Sequence, residues 1–269
     1  MSATAAAYLD SDARQFYRDA MALMEAGGLD FLVGGAYAFA RYTGIERHTK
    51  DFDVFIRRED FDRARDIFEA AGYKTELTFP HWIGKAFKGE DFVDLIFSAG
   101  NAVAEVDDVW FARAVPAVVF DLEVKLIPPE EMIWSKGLIM ERERYDGADV
   151  AHLIHAIGED LNWRHLLMRY GRYWRVLYAH LILFGFIYPS DRWKIPRSMM
   201  DAMAKRLAID TERGEAYEKI CYGTIISRQQ YLHDVNELGY KDARLEPLGK
   251  MSEEEIAAWT AGIEVDGAK

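Results

Sequence analysis

The stretch from Phe31 to Ile56, FLVGGAYAFARYTGIERHTKDFDVFI, constrains the fold more than any other part of the chain. It opens with a short apolar run, Phe31-Leu32-Val33, that stops at Gly34-Gly35. It closes with Asp51-Phe52-Asp53-Val54-Phe55-Ile56, in which acidic and apolar residues alternate. Period-two alternation sends successive side chains to opposite faces of a strand. Asp51 and Asp53 are therefore expected on one face, roughly 6–7 Å apart along the strand, with Phe52 and Val54 in the core. Carboxylates that close repel unless a cation stands between them. Hard divalent cations such as Mg²⁺ accept such oxygen donors together with substrate phosphates. The plainer alternative is a solvated edge strand whose acidic residues face water. The glycine pair tells against it, because glycines after a strand let backbone N–H groups approach a phosphate. The helix expected from Ala36 would add the positive end of its dipole.

Gly34-Gly35 followed by Arg47-x-Thr49-Lys50-Asp51-Phe52-Asp53-Val54 resembles the signature of the DNA polymerase β-like nucleotidyltransferase superfamily. The resemblance is strongest to its small bacterial branch, which includes lincosamide nucleotidyltransferases and AbiEii-type toxins, and it covers roughly residues 28–150. It implies a third carboxylate on a later strand in an apolar setting, which Asp94 supplies within Phe92-Val93-Asp94-Leu95-Ile96-Phe97. It further implies that Asp51, Asp53 and Asp94 are catalytic and bind Mg²⁺, as one or two ions. Gly34 and Gly35 would cradle the NTP phosphates, with Arg47, Thr49 and Lys50 beside them; His48 reads as a surface residue of that turn. Lys136, ahead of Arg142, Arg144, Asp146 and Asp149, resembles the Lys…Arg-x-x-x-Arg-Asp segment of the AbiEii-type proteins, with spacing shifted by a residue or two. A lysine there would meet the γ-phosphate as a point charge. The alternative is an ordinary charged helix face with i, i+3 and i, i+4 pairs. The implied activity is transfer of a nucleoside monophosphate from an NTP to an acceptor hydroxyl, with release of pyrophosphate. Two other outcomes stay open: a toxin-like transferase acting on tRNA, and a non-catalytic nucleotide-binding or regulatory protein of the same fold.

Charge weighs among acceptors. The 45 acidic residues against 33 basic ones give a net charge of −12, a field that disfavours broad nucleic-acid binding. A small-molecule acceptor is expected over RNA. Cys221 is the single cysteine, so no intrachain disulfide forms, and a reducing cytoplasmic compartment is expected. MSATAAAYLDSDARQF has no basic or long apolar segment, and no signal peptide is expected. The longest apolar run, Val176 to Tyr188, falls short of the ~20 residues a membrane span needs and is expected to be a buried helix; no membrane association is expected. The histidines show no H-E-x-x-H spacing, and neither a P-loop nor a Rossmann fingerprint is present.

In chain order, residues 1–10 read as a loose start. Ser11-Asp12 opens a helix to about Ala26, with Phe16, Ala20, Leu23 and Met24 on its apolar face. A helix over 61–71, a strand over 73–78 and a hairpin of 83–88 with 92–97 across Gly89-Glu90-Asp91 follow. A short helix at 106–113 and one or two strands within 116–127 complete this part. Pro128-Pro129-Glu130-Glu131 marks a break and a helix start. The expected class is α+β: a mixed-sheet nucleotidyltransferase domain with flanking helices over 1–127, then an all-helical domain over 128–269. Its helices are expected near 129–143, 147–158, 161–187, 196–208 and 214–238, before a last short helix and a tail. The aromatic-rich segment Trp163 to Tyr188 reads as core or as the lining of a substrate pocket.

Overall fold

The computed structural model describes residues 11–47, 49–212 and 218–262. The expectation for residues 1–10 falls outside them, as do the first part of the helix expected at 214–238 and the end of the tail. The chain divides into two compact units, Met1–Pro128 with Glu253–Lys269, and Pro129–Ser252.

The first unit runs α1 (Ser11–Ala26), β1 (Leu32–Val33), α2 (Gly35–Thr43), β2 (Asp53–Phe55), α3 (Phe61–Ala70), β3 (Lys74–Phe79), β4 (Ile83–Lys88), β5 (Asp91–Ile96), α4 (Asp108–Ala112), β6 (Val115–Val119) and β7 (Leu122–Leu126). The strands form a seven-stranded mixed sheet in the order β3-β4-β5-β2-β1-β7-β6. β1 runs antiparallel to β2, which lies parallel to β5. Helix α1 buries Phe16, Tyr17, Ala20, Met21 and Met24, and α3 buries Phe61, Ala64 and Phe68; both show the i, i+3, i+4 spacing of an amphipathic helix on a sheet.

β2 is shorter than the alternation predicts. The Asp51 amide donates to Thr49 Oγ1 at 3.1 Å, so a side-chain turn of the Thr kind takes the donor a ladder would use. The alternation survives all the same, because Phe52 is fully buried. Its ring stacks on Tyr17 at 4.7 Å and meets Tyr37 at 5.4 Å and Phe120 at 6.0 Å. Phe120 and Asp121 form the two-residue turn of the β6–β7 hairpin, with φ of 51° and 62°. Left-handed backbone at both positions matches strand twist, but it strains a bulky residue such as Phe120. Two arginines of α1 hold the turn: Arg14 Nη2 lies 2.6 Å from Asp121 Oδ2, and Arg18 donates to the Phe120 carbonyl.

The second unit carries α5 (Pro129–Gly137), α6 (Gly147–Ile157), α7 (Trp163–Tyr170), α8 (Trp174–Ile187), α9 (Arg197–Glu212), β8 (Ile220–Cys221), α10 (Gly223–Ile226), α11 (Leu232–Asn236) and β9 (Lys241–Asp242). The acidic first turn of α5 is buried and clasps α7. Glu130 accepts from the Asn162 amide at 2.7 Å, and Glu131 Oε1 accepts from Arg169 Nε at 3.0 Å and pairs with His165 Nε2 at 2.7 Å. The single helix expected over 161–187 is two, broken at Gly171, whose φ of 49° no α-helix tolerates. The region expected to be entirely helical also holds a two-stranded parallel sheet, β8 with β9. Among the described residues 218–238 only the short α10 and α11 are helical.

Helix α8 departs from its expected full burial. Leu177, His180, Leu181 and Phe184 are buried, while Ile182, Leu183, Phe186 and Ile187 on the other side are exposed. No helix among the described residues is long and apolar enough to cross a membrane. The last helix, α12 (Glu253–Ala261), packs on β3, and its Trp259 meets His81 edge-on at 6.0 Å.

Candidate active site

The carboxylates are set by strand register. Asp53 opens β2, and Asp94 is its lateral partner on the parallel strand β5, so both project from one face, about 4.8 Å apart across the strands. The alternation that buries Phe52 turns Asp51 and Asp53 away from the aromatic cluster. Asp51 is exposed, Asp53 half-buried and Asp94 only 7% exposed. Tyr17 fixes the approach to β2, its hydroxyl donating to the Lys50 carbonyl at 2.8 Å.

Each glycine has its own reason. A Cβ on Gly34 would lie 2.2 Å from the Phe55 ring, and one on Gly35 would lie 1.7 Å from Asp53 Oδ2. Gly35 also has φ of 53°. Gly34 is thus demanded by packing, and Gly35 by the Asp53 carboxylate lying over it at the start of α2, where the helix dipole favours negative charge. The Gly34 amide donates to the Asp53 carbonyl at 2.9 Å, joining the glycine turn to the acidic strand.

Lys85 is a residue at the candidate site that motif analysis missed. On β4 it is the register partner of Asp94, its Nζ lies 2.7 Å from Asp94 Oδ1, and it sits 4.1 Å over the Phe92 ring. The turn expected over Gly89-Glu90-Asp91 is one residue tighter, which sets the register. A tight turn at Gly89-Glu90 pairs Lys88 with Asp91 and, counting back, Lys85 with Asp94. Even with this partner the Asp94 carboxyl is pushed above its ordinary range: burial is the main cause, Lys85 opposes it, and Asp51 adds to it. Tyr17 senses the same field. Its phenol is pushed up to about 12 by burial and by Asp91, Asp51, Asp94 and Asp53. Tyr37 is raised as well, by burial, then Tyr17 and Asp53.

Among the described residues no three acidic, histidine or cysteine side chains converge into a ready-made metal cluster. The donors nonetheless fit a hard divalent cation. They are carboxylate oxygens, two of them side by side, in a spot where burial of Asp94 outweighs the lysine set against it.

The remaining candidates are distributed as follows. Thr49 shapes the turn before Asp51. Lys50 is exposed beside Asp51, and Arg47 is exposed with its guanidinium 4.5 Å over the Phe39 ring. His48 lies outside the described residues. Lys136 belongs to the second unit, where its Nζ lies 2.8 Å from Asp149 Oδ2 and 3.2 Å from Asp146 Oδ2. Arg144 completes that group at 2.8 Å from Asp146 Oδ2. The Asp146 carboxyl is held below its ordinary range: burial would raise it, and Arg144 and Lys136 together outweigh burial.

Comparison with known proteins gives a family match. The model of a family described as "Nucleotidyl transferase of unknown function (DUF2204)" matches residues 13–165. No curated protein matches the chain. Among solved structures it is similar to an antigenic nucleotidyltransferase-like protein from Paracoccidioides brasiliensis, at 18% identity over 70% of this chain and 95% of that one, with a TM-score of 0.45. It is also similar to the antibiotic-resistance factor ANT(2'')-Ia in solution, at 15% identity, 76% and 98% coverage and a TM-score of 0.38. The lincosamide antibiotic adenylyltransferase LnuA, bound to lincomycin, is similar at 17% identity, 53% and 96% coverage and a TM-score of 0.38.

Proposed function

The chain belongs to this nucleotidyl transferase family, and from that premise we propose that it moves a nucleoside monophosphate from an NTP to an acceptor hydroxyl in an Mg²⁺-dependent reaction that releases pyrophosphate. The observation that carries the proposal is the lateral pairing of Asp53 with Asp94 on adjacent parallel strands, beside Gly35 at the start of α2. Asp53 and Asp94, with Asp51 two residues ahead of Asp53, would hold the cation. When bound, Mg²⁺ supplies charge neutralisation of the triphosphate and acidifies a coordinated hydroxyl. The chain's own residues do the positioning. Gly34-Gly35 let the Phe55 ring and the Asp53 carboxylate close on the turn, so that Asp53 is set at the start of α2, and Thr49 shapes the turn that delivers Asp51. Arg47 and Lys50 supply positive charge at that turn. In the transfer, the acceptor oxygen bonds the α-phosphorus as its O–H bond breaks, the proton leaving to water. The α-phosphorus-to-pyrophosphate bond breaks on the opposite side.

Lys136 would meet a phosphate only by giving up Asp146 and Asp149. A small-molecule acceptor fits a chain of net charge −12 better than a polyanion does. The test is to incubate the protein with each α-labelled NTP, Mg²⁺ and cell extract, then follow pyrophosphate and label. Label in the small-molecule fraction, absent with Asp53→Asn, is the expected result. Label in tRNA would replace the acceptor by RNA and favour the toxin-like alternative. NTP binding without pyrophosphate release in any fraction would leave a nucleotide-binding protein.

A further inference from the structure

Strand register lines up four charged residues across the sheet: Glu76 of β3, Lys85 of β4, Asp94 of β5 and Asp53 of β2. Lys85 thus stands between two acidic partners, Glu76 exposed and Asp94 buried. Its ammonium is turned to the buried one, with Nζ 2.7 Å from Asp94 Oδ1. Phe92, two residues before Asp94 and so on the same face of β5, holds it there, its ring centre 4.1 Å from Nζ. The side chains are 25% exposed for Lys85 and 9% for Asp94, so this is no surface lysine sweeping through water. One oxygen of Asp94 is taken by a fixed positive charge. Oδ2 remains for the cation that Asp94 would share with Asp53.

On the strength of the transferase reading, we propose that Lys85 stands in for the second of two divalent ions: the site takes a single cation, and the lysine supplies the other positive charge at Asp94. Charge favours this arrangement. Asp51, Asp53 and Asp94 carry three negative charges and Lys85 one positive, a balance that one divalent cation completes. A second Mg²⁺ on Asp94 Oδ1 would sit about 2.1 Å from that oxygen, in the space the ammonium fills, and like charges so close repel strongly. Sheet order gives the lysine its task. In the order β4-β5-β2-β1, Lys85 lies beyond Asp94 from Asp53 and the start of α2, on the side left to the acceptor. There the ammonium steadies the acceptor oxygen as its O–H bond breaks, keeping its own protons while the acceptor proton leaves to water.

Electron paramagnetic resonance of Mn²⁺ bound to the full chain tests this, because two ions about 3.5–4 Å apart couple their spins and a lone ion does not. Wild type is expected to hold one uncoupled Mn²⁺ at the site. Lys85→Met and Lys85→Gln should each admit a second ion and show the coupled spectrum, whereas Lys85→Arg, which keeps the charge, should stay at one. Adding Asp94→Asn to Lys85→Met should remove the coupled spectrum again. That result ties the added ion to Asp94, and a loosened fold would not reproduce it. A coupled pair in wild type would overturn the proposal and leave the transferase reading standing, as would a single uncoupled ion in both Lys85→Met and Lys85→Gln. Wild type that binds no Mn²⁺, with or without inorganic triphosphate, would strike the transferase reading itself and this inference with it.

Discussion

Each compact unit holds a cluster of buried aspartate, built from the same residue types but with opposite balance. In the sheet unit, Asp94 faces Lys85, yet burial and Asp51 win and the carboxyl is raised. In the helical unit, Asp146 is also buried, yet Arg144 and Lys136 win and the carboxyl is lowered. A carboxylate held below its ordinary range has its counter-charge already in the fold and contributes to stability. One held above it remains under-compensated, the condition expected of a group that awaits a cation or a proton. The second cluster resembled a phosphate-binding segment in sequence; its geometry is that of an ion-pair network.

The largest expected effect would break this comparison at its functional side. Asp53→Asn should lower transfer by about 10²–10⁴ and abolish the rise in melting temperature that Mg²⁺ with NTP confers on wild type. Gly35→Ala should do nearly as much, since its Cβ would displace the Asp53 carboxylate. A fully active Gly35→Ala would detach Asp53 from the site.

Next is the structural side. Asp146→Ala leaves Lys136 with Asp149 alone in a mostly buried group and should destabilise the protein by about 3 kcal/mol in urea titrations. A change below about 0.5 kcal/mol, the range of ordinary surface substitutions, would show that the network is dispensable and return Lys136 to the nucleotide.

Lys85→Met sharpens the contrast with a smaller effect. Removing the ammonium that holds Asp94 Oδ1 should tighten Mn²⁺ binding about tenfold, the effect of one pK unit of competition, while stability at neutral pH falls. Unchanged Mn²⁺ affinity would place the cation away from Asp94.

The smallest effect is in pH dependence, where the two clusters differ in sign. The Asp94 carboxyl is raised above 3.8, so its contribution to stability is present below that pH and lost as pH rises through the folded value. In metal-free buffer, Asp94→Asn should therefore gain stability on wild type at pH 7, and the gain should vanish in acid. The Asp146 carboxyl is lowered, so its contribution is present above 3.8 and lost as pH falls through the folded value. Asp146→Asn should accordingly lose most against wild type at pH 7 and least in acid. Two profiles of the same sign would remove the distinction.

Much of the sheet unit was legible in the sequence because its signals are local. Glycines after a short apolar run, period-two alternation at Asp51–Val54 and a hairpin turn at Gly89-Glu90-Asp91 each report on neighbours in the chain. The Lys85–Asp94 pairing did not follow from that turn, because the loop is one residue tighter and sets Lys88 opposite Asp91. Less was legible beyond Pro129. A helical pattern over 161–187 does not reveal that Gly171 takes a left-handed backbone, and β8 and β9 are two residues each, too short for any periodicity to show.

The sequence by itself determined the elements around the candidate site and that Asp51 and Asp53 alternate with core residues, since strand periodicity follows from covalent geometry; Asp94 stood out only through the family resemblance. Tertiary structure alone decided how each charge is balanced. Whether an aspartate is raised or lowered depends on burial and on partners distant in sequence, as with Asp51 and Asp94. It likewise decided which side of the apolar α8 meets a core and which is left exposed, because a run without charge offers no polar face to mark the outside.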